Sequence, residues 1–247
     1  MDKARTIKRL SMDRWLRLGR REIGPLAIIL LTAGLLLGFG LIAAEVLEGD
    51  TGTFDRTILL AFRNPTDPSD PIGPVWIEEM ARDITSLGST TVLALVAVAV
   101  IGFLILIRKR AAALLVLIAV SGGTLLSSLL KFGFARPRPE LVSHAVQVYT
   151  ASFPSGHAML SAVTYLTLGA LLTRVQSQRR VKTYLLTLAV MLTLLIGLSR
   201  IYLGVHWPTD VLAGWCVGSA WAMLCWLVAL WLQQKGEIEP PNHGNGP

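Results

Sequence analysis

Six long apolar stretches divide the chain, at residues 26–44, 90–107, 111–130, 157–173, 183–199 and 211–232. Crossing a bilayer takes roughly 20 predominantly apolar residues, about 17 to 25 in practice, so each stretch predicts one transmembrane helix. The fourth and fifth are the shortest. The first two are separated by a long polar segment, residues 45–89, in which Pro65, Pro68, Pro71 and Pro74 lie between two modest apolar runs at 54–62 and 75–84. Those runs predict short interfacial helices. Residues 233–247, with Pro240, Pro241 and several Gly and Asn, read as a disordered tail. The expectation is an all-α polytopic membrane bundle of six transmembrane helices over 26–232, preceded by a basic leader at 1–25.

Composition narrows the class. Hydrophobic residues make up 53% of the 247, charged residues only 16%, and the mean hydropathy is +0.57. So few charges cannot clothe a soluble domain in polar surface, and so much apolar content excludes a disordered chain. The two cysteines, Cys216 and Cys225, fall in one apolar helix, where the rise of roughly 1.5 Å per residue keeps them too far apart to bridge. They read as small hydrophobic residues. No CxxC or HExxH pattern occurs, so neither a metal nor a redox site is expected.

The formal charge of +7 is explained by topology. Lys3, Arg5, Lys8, Arg9, Arg14, Arg17, Arg20 and Arg21 precede the first apolar stretch, and the positive-inside rule puts that leader in the cytoplasm. The stretch is long enough to span, which sets it apart from a cleaved signal peptide. Alternating from there, 16 of the 23 Lys and Arg fall in inner segments and 7 in outer ones. No nucleic-acid surface is needed to account for them. Both termini are expected in the cytoplasm, in a bacterial inner membrane.

Some outer charges run against that bias. Lys131, Arg138 and Arg200 crowd the outer mouths of the third and fifth spans, where isolated cations would be read as snorkelling side chains. Clustered beside histidines and an aspartate, they mark a functional site. In Lys131-Phe-Gly-Phe-Ala-Arg-Pro-Arg138-Pro139 the prolines stop any helix and fold the segment back, pairing an ammonium with a guanidinium suited to an oxyanion. Arg136 either shares this role or faces headgroups. Pro154-Ser155-Gly156-His157 describes a helix entrance whose free N–H groups can cradle a phosphate, with His157 able to protonate a departing alkoxide. In Ser199-Arg200-x5-His206-x3-Asp210, Pro208 starts a helix that brings His206 and Asp210, four residues apart, together. The carboxylate then fixes the tautomer and leaves the other ring nitrogen free to attack.

These three segments, in this order, resemble the tripartite signature of the type 2 phosphatidic acid phosphatase family. The motifs cover residues 131–210, and the six-span layout is similar to that of the family's membrane members. The resemblance implies a metal-independent phosphomonoester or diphosphate hydrolase, without cofactor, working through a phosphohistidine. His206 is then the nucleophile, Asp210 its orienting partner and His157 the general acid. Lys131, Arg138, Arg200, Ser155 and Gly156 hold the phosphate. His144 and His243 match no motif.

Because the spans end where the motifs begin, the expected cleft opens at the extracytoplasmic interface to a phosphorylated lipid whose tails stay among the helices. Phosphatidic acid, phosphatidylglycerol phosphate, a polyprenyl diphosphate and a lipid A phosphate all fit. A lipid-to-lipid phosphotransferase and a non-enzymatic lipid carrier are the rival readings.

Overall fold

The computed structural model describes residues 3–140 and 151–234. Its helices, in chain order, are α1 (Lys3–Glu48), α2 (Gly52–Ala61), α3 (Val75–Ser86), α4 (Thr90–Leu106), α5 (Arg110–Phe134), α6 (Gly156–Val175), α7 (Arg179–Tyr202) and α8 (Pro208–Gln234). A small antiparallel hairpin, β1 (Arg63–Asn64) with β2 (Asp67–Pro71), interrupts the first polar segment. The basic leader continues into the first span, since α1 runs from Lys3 through Pro25. Of the sequence-stretch read as a tail, the first two residues complete α8. The remainder, with His243, lies outside the described residues, as does His144.

Five helical segments are long and apolar enough to cross a membrane: Gly24–Glu48, Arg110–Phe134, Gly156–Val175, Arg179–Tyr202 and Pro208–Leu232. A sixth candidate span is formed by α3 and α4 together, α4 alone having 17 residues, the short end of the ~17–25 range. The two helices meet at a 46° bend. Ser89 makes that bend a clean helix start, its hydroxyl accepting a hydrogen bond from the Val92 N–H at 3.3 Å. Leu30, Leu37, Leu95, Val98, Leu125, Phe132 and Leu194 are exposed, the inverse of a soluble surface and the expected face toward lipid tails.

The core forms around α6. Residues Ala158 to Thr164 are buried without a break, so this helix is enclosed on all sides. α5, α7 and α8 pack on it, and α1 packs on α8 from outside. The closest approach is between α6 and α8, at two glycines one turn apart. A Cβ on Gly214 would stand 2.7 Å from the Ser155 carbonyl oxygen, and one on Gly218 would stand 2.4 Å from that of Met159. Small residues at i and i+4 let helix backbones meet in a membrane, where there is no water to drive association. Indole rings use the same device. Trp215 fills the space over Gly197 and donates to the Thr193 carbonyl at 3.0 Å, while Trp221 covers Gly122 and donates to Ala119 at 2.9 Å.

Candidate active site

Consecutive spans run in opposite directions, so the C-terminal ends of α5 and α7 and the N-terminal ends of α6 and α8 share one rim. Lys131, His157, Arg200 and Asp210 sit on those four ends.

The chain leaves α5 through Ala135, which takes a left-handed conformation at φ 46°. Arg136 and Arg138 each precede a proline, which favours extended backbone and sends both side chains to the same side. They bracket the start of α8. Arg138 Nη1 lies 3.3 Å from His206 Nε2 and donates to the Val205 carbonyl at 3.0 Å. Arg136 Nη1 lies 2.7 Å from Asp210 Oδ1.

Between them, His206 Nδ1 is 3.3 Å from Asp210 Oδ2. A guanidinium only donates, so Nε2 must present its lone pair to Arg138 and the ring proton sits on Nδ1, toward the carboxylate. His206 is almost wholly buried. Burial, reinforced by the Arg200 and Arg138 charges, pushes its pKa down to about 3 against the opposing pull of Asp210. The ring is therefore neutral at pH 7, with Nε2 unprotonated. Burial also lowers the Arg138 pKa, while Asp210 opposes that shift.

Asp210 is held by four donors. Oδ2 accepts from the Ser152 hydroxyl, from the Trp207 N–H at 2.9 Å and from His206, and Oδ1 accepts from Arg136. Its own carbonyl accepts the Ser155 N–H at 2.9 Å, tying the start of α6 to the start of α8. Ser155 caps α6. Beside it, a Cβ on Gly156 would lie 3.5 Å from Lys131 Cε and 3.6 Å from Ser127 Oγ, ordinary van der Waals contact that sets the lysine stem against the start of α6. Lys131 Nζ donates to the Ala151 carbonyl at 2.7 Å.

Arg200 Nη1 donates to Thr85 Oγ1 of α3 at 3.1 Å, and its buried Nε–H has no hydrogen-bond partner among the described residues. His157 lies within electrostatic reach of Arg200, His206, Lys131 and Arg138. The structure thus gathers Lys131, Arg138, Ser155, Gly156, His157, Arg200, His206 and Asp210 on one rim.

Arg136 takes neither of the two places the sequence left open to it. Its Nη2 lies 2.7 Å from Asp55 Oδ2 and 2.8 Å from Thr51 Oγ1, while Nη1 also reaches Thr209 Oγ1 at 2.8 Å. It is an interior strut. Sequence reasoning missed Ser152, Thr85 and Asp55. Only the last carried a signal: Thr51, Asp55 and Leu59 recur every four residues, and buried Leu59 marks the inward face of α2.

The aromatic rings of Phe39, Phe134 and Phe153 fasten the rim from beneath, with Phe134 and Phe153 edge to face at 4.7 Å between centroids. This carries Ser152 and Ser155, on either side of Phe153, to the α8 terminus.

A family model described as the PAP2 superfamily matches residues 110–234. Among characterised proteins, the chain is 34% identical to phosphatidylglycerophosphatase B of Bacillus subtilis over 146 residues, 58% of this chain and 70% of that one. It is 41% identical to undecaprenyl-diphosphatase of Sulfolobus acidocaldarius over 68 residues, 28% of this chain and 29% of that one. The crystal structure of the transmembrane PAP2-type phosphatidylglycerolphosphate phosphatase of Bacillus subtilis superposes with a TM-score of 0.70 at 28% identity, covering 84% of this chain and 97% of that one.

Proposed function

The chain belongs to the PAP2 superfamily, and on that premise we propose that it is a lipid phosphatase that transfers the phosphoryl group of its substrate to His206 Nε2 and then to water. The observation that carries this reading is the pair of contacts on one imidazole: Asp210 at Nδ1 and a guanidinium at Nε2, both at 3.3 Å. Such a ring is neutral, fixed in one tautomer and aimed into a group of cations.

Phosphoryl transfer asks a protein mainly for in-line positioning and for positive charge around the equatorial oxygens. Lys131, Arg138 and Arg200 supply that charge, and the buried Nε–H of Arg200 is a donor suited to a phosphoryl oxygen. The N–H groups at the start of α6, next to Gly156, add uncharged donors. As Nε2 bonds to phosphorus, the bond from phosphorus to the leaving oxygen breaks, and His157 gives that oxygen a proton. His206 gains positive charge, which Asp210 balances. Water then attacks the phosphohistidine, His157 takes up its proton, and inorganic phosphate leaves with Nε2 restored.

Two features support a lipid substrate and an extracytoplasmic site. The cations cap the ends of spans whose outer faces are leucine-rich, so a headgroup reaches them while its tails remain in the bilayer. The Lys and Arg balance supports a cytoplasmic location for the opposite ends, along with the leader at 1–25. Phosphatidylglycerol phosphate and undecaprenyl diphosphate are the two substrates suggested by relatives.

The test is a lipid panel. Phosphate release by the purified protein in detergent is measured with phosphatidylglycerol phosphate, phosphatidic acid, undecaprenyl diphosphate and a lipid A phosphate, with and without EDTA, and with His206→Ala as the blank. At least one lipid should be hydrolysed, the activity should survive EDTA, and His206→Ala should abolish it. Undiminished release by His206→Ala would overturn the nucleophile. Lipid binding without release from any of the four would favour a carrier.

A further inference from the structure

Asp55 is completely buried on α2, in the first polar segment, far in sequence from every residue of the phosphate site. Its carboxylate has no solvent and is met by three donors: Oδ1 accepts from the Thr209 N–H at 2.9 Å, and Oδ2 accepts from Thr209 Oγ1 and Arg136 Nη2, each at 2.7 Å. A buried ionised group is tolerated only when paired and hydrogen-bonded in this manner. The same guanidinium holds Asp210 with its other nitrogen. Asp55, Arg136, Asp210 and His206 therefore form one chain of alternating charge ending at the ring.

Charge balance gives that chain a function. With Asp210 and Arg136 alone, the group behind His206 is neutral, and the ring faces Arg138 with no net negative charge to support it. Adding Asp55 makes the buried group carry one net negative charge. That is the sign needed when the imidazole becomes cationic on bonding to phosphorus. Asp55 also fixes Arg136 in a planar bridge, which holds Asp210 Oδ1 so that Oδ2 stays on Nδ1.

We propose that Asp55 and Arg136 are positioning residues of the phosphatase, acting through Asp210 on His206, and that α2 is therefore part of the catalytic device. The proposal rests on the reading of His206 as nucleophile.

The experiment is a double-mutant cycle in Asp55→Asn, Asp210→Asn and the double variant, with kcat, KM and thermal unfolding measured in detergent on whichever lipid the wild type hydrolyses. Asn keeps the shape of Asp55 and an acceptor for the Thr209 N–H, while removing the charge and the oxygen that accepts from Arg136. Asp55→Asn should lower kcat roughly tenfold to a hundredfold, the range carried by one charge-assisted hydrogen bond, with KM within about twofold of wild type. In the Asp210→Asn background it should cost little further, because its route to the ring is already cut. Additive losses, or a kcat unchanged from wild type, would overturn the proposal. If Asp55→Asn does not survive purification, Arg136→Lys takes its place in the cycle: one ammonium cannot bridge both carboxylates, so the same kcat-selective, non-additive loss is expected. A fully active His206→Ala would instead bring down the parent reading.

Discussion

Substituting Gly218 by Ala tests whether the backbone contact between α6 and α8 sets the geometry of the site. The new Cβ would stand 2.4 Å from the Met159 carbonyl oxygen and 3.0 Å from Met159 Cα and from Ala162 Cβ. Two of these atoms are backbone, so no side chain can swing aside. α8 has to retreat from α6 by roughly 1 Å before the methyl reaches ordinary van der Waals distance. Overpacking of this kind costs about 1–3 kcal/mol, several degrees of melting temperature in a chain of this size. The catalytic loss should be larger. Asp210 moves with α8, whereas Ser155, bonded to it at 2.9 Å, moves with α6. A misplacement of about 1 Å between reacting groups costs roughly a hundredfold in rate. The comparison is Gly34→Ala, on α1, where a Cβ meets nothing within 4 Å. With both variants in the same detergent, Gly34→Ala should keep wild-type phosphate release and melting temperature, while Gly218→Ala loses about two orders of magnitude of activity. Full activity in Gly218→Ala would refute the argument that this contact holds the site in register.

The depressed pKa of His206 predicts a pH-dependent stability. Below about pH 6.5 an unfolded histidine binds a proton that the folded ring refuses until about 3. Stability is therefore complete above pH 6.5 and falls as the solution is acidified, by on the order of 1–2 kcal/mol at pH 5. The drop in melting temperature from pH 7.5 to pH 5 should be smaller in His206→Asn, and an equal drop would remove the ring from the explanation. Thr85→Val deletes the acceptor that steadies Arg200. It should lower kcat/KM by roughly tenfold or more, the range of one hydrogen bond to a charged group, and an unchanged kcat/KM would detach α3 from the site. Ser152→Ala removes one of four donors to Asp210. A loss of kcat of similar size, with KM held, is expected in steady-state assays.

What could be read from sequence follows the reach of each signal. The spans were legible because hydropathy is a local property, and the helix starts at Ser155 and Pro208 because capping is local too. The eight residues that meet on one rim were legible because they lie in short motifs whose spacing is fixed. Arg136 was ambiguous for a physical reason. A guanidinium beside a membrane interface has two good partners, lipid phosphate and protein carboxylate, and nothing within residues 131–139 shows that Asp55 waits on α2. Thr85 and Ser152 were silent, since a lone hydroxyl carries no periodicity and takes its meaning only from the atom it meets. The predicted pair of short helices after the first span formed, at α2 and α3, but each turns a side chain into the rim through Asp55 and Thr85. Composition alone could not reveal that inward face.

The chain of charge from Asp55 to His206 also imposes an order on biogenesis. A membrane protein is threaded into its bilayer from the N-terminus, so Asp55, Arg136 and Ser152 are in place long before the ribosome reaches Asp210. Until α8 has been inserted, Arg136 has only one of its two carboxylates. A chain interrupted ahead of residue 210 has the rim cations but lacks the carboxylate that bonds His206 Nδ1. On the proposed mechanism, phosphate release has to wait for α8.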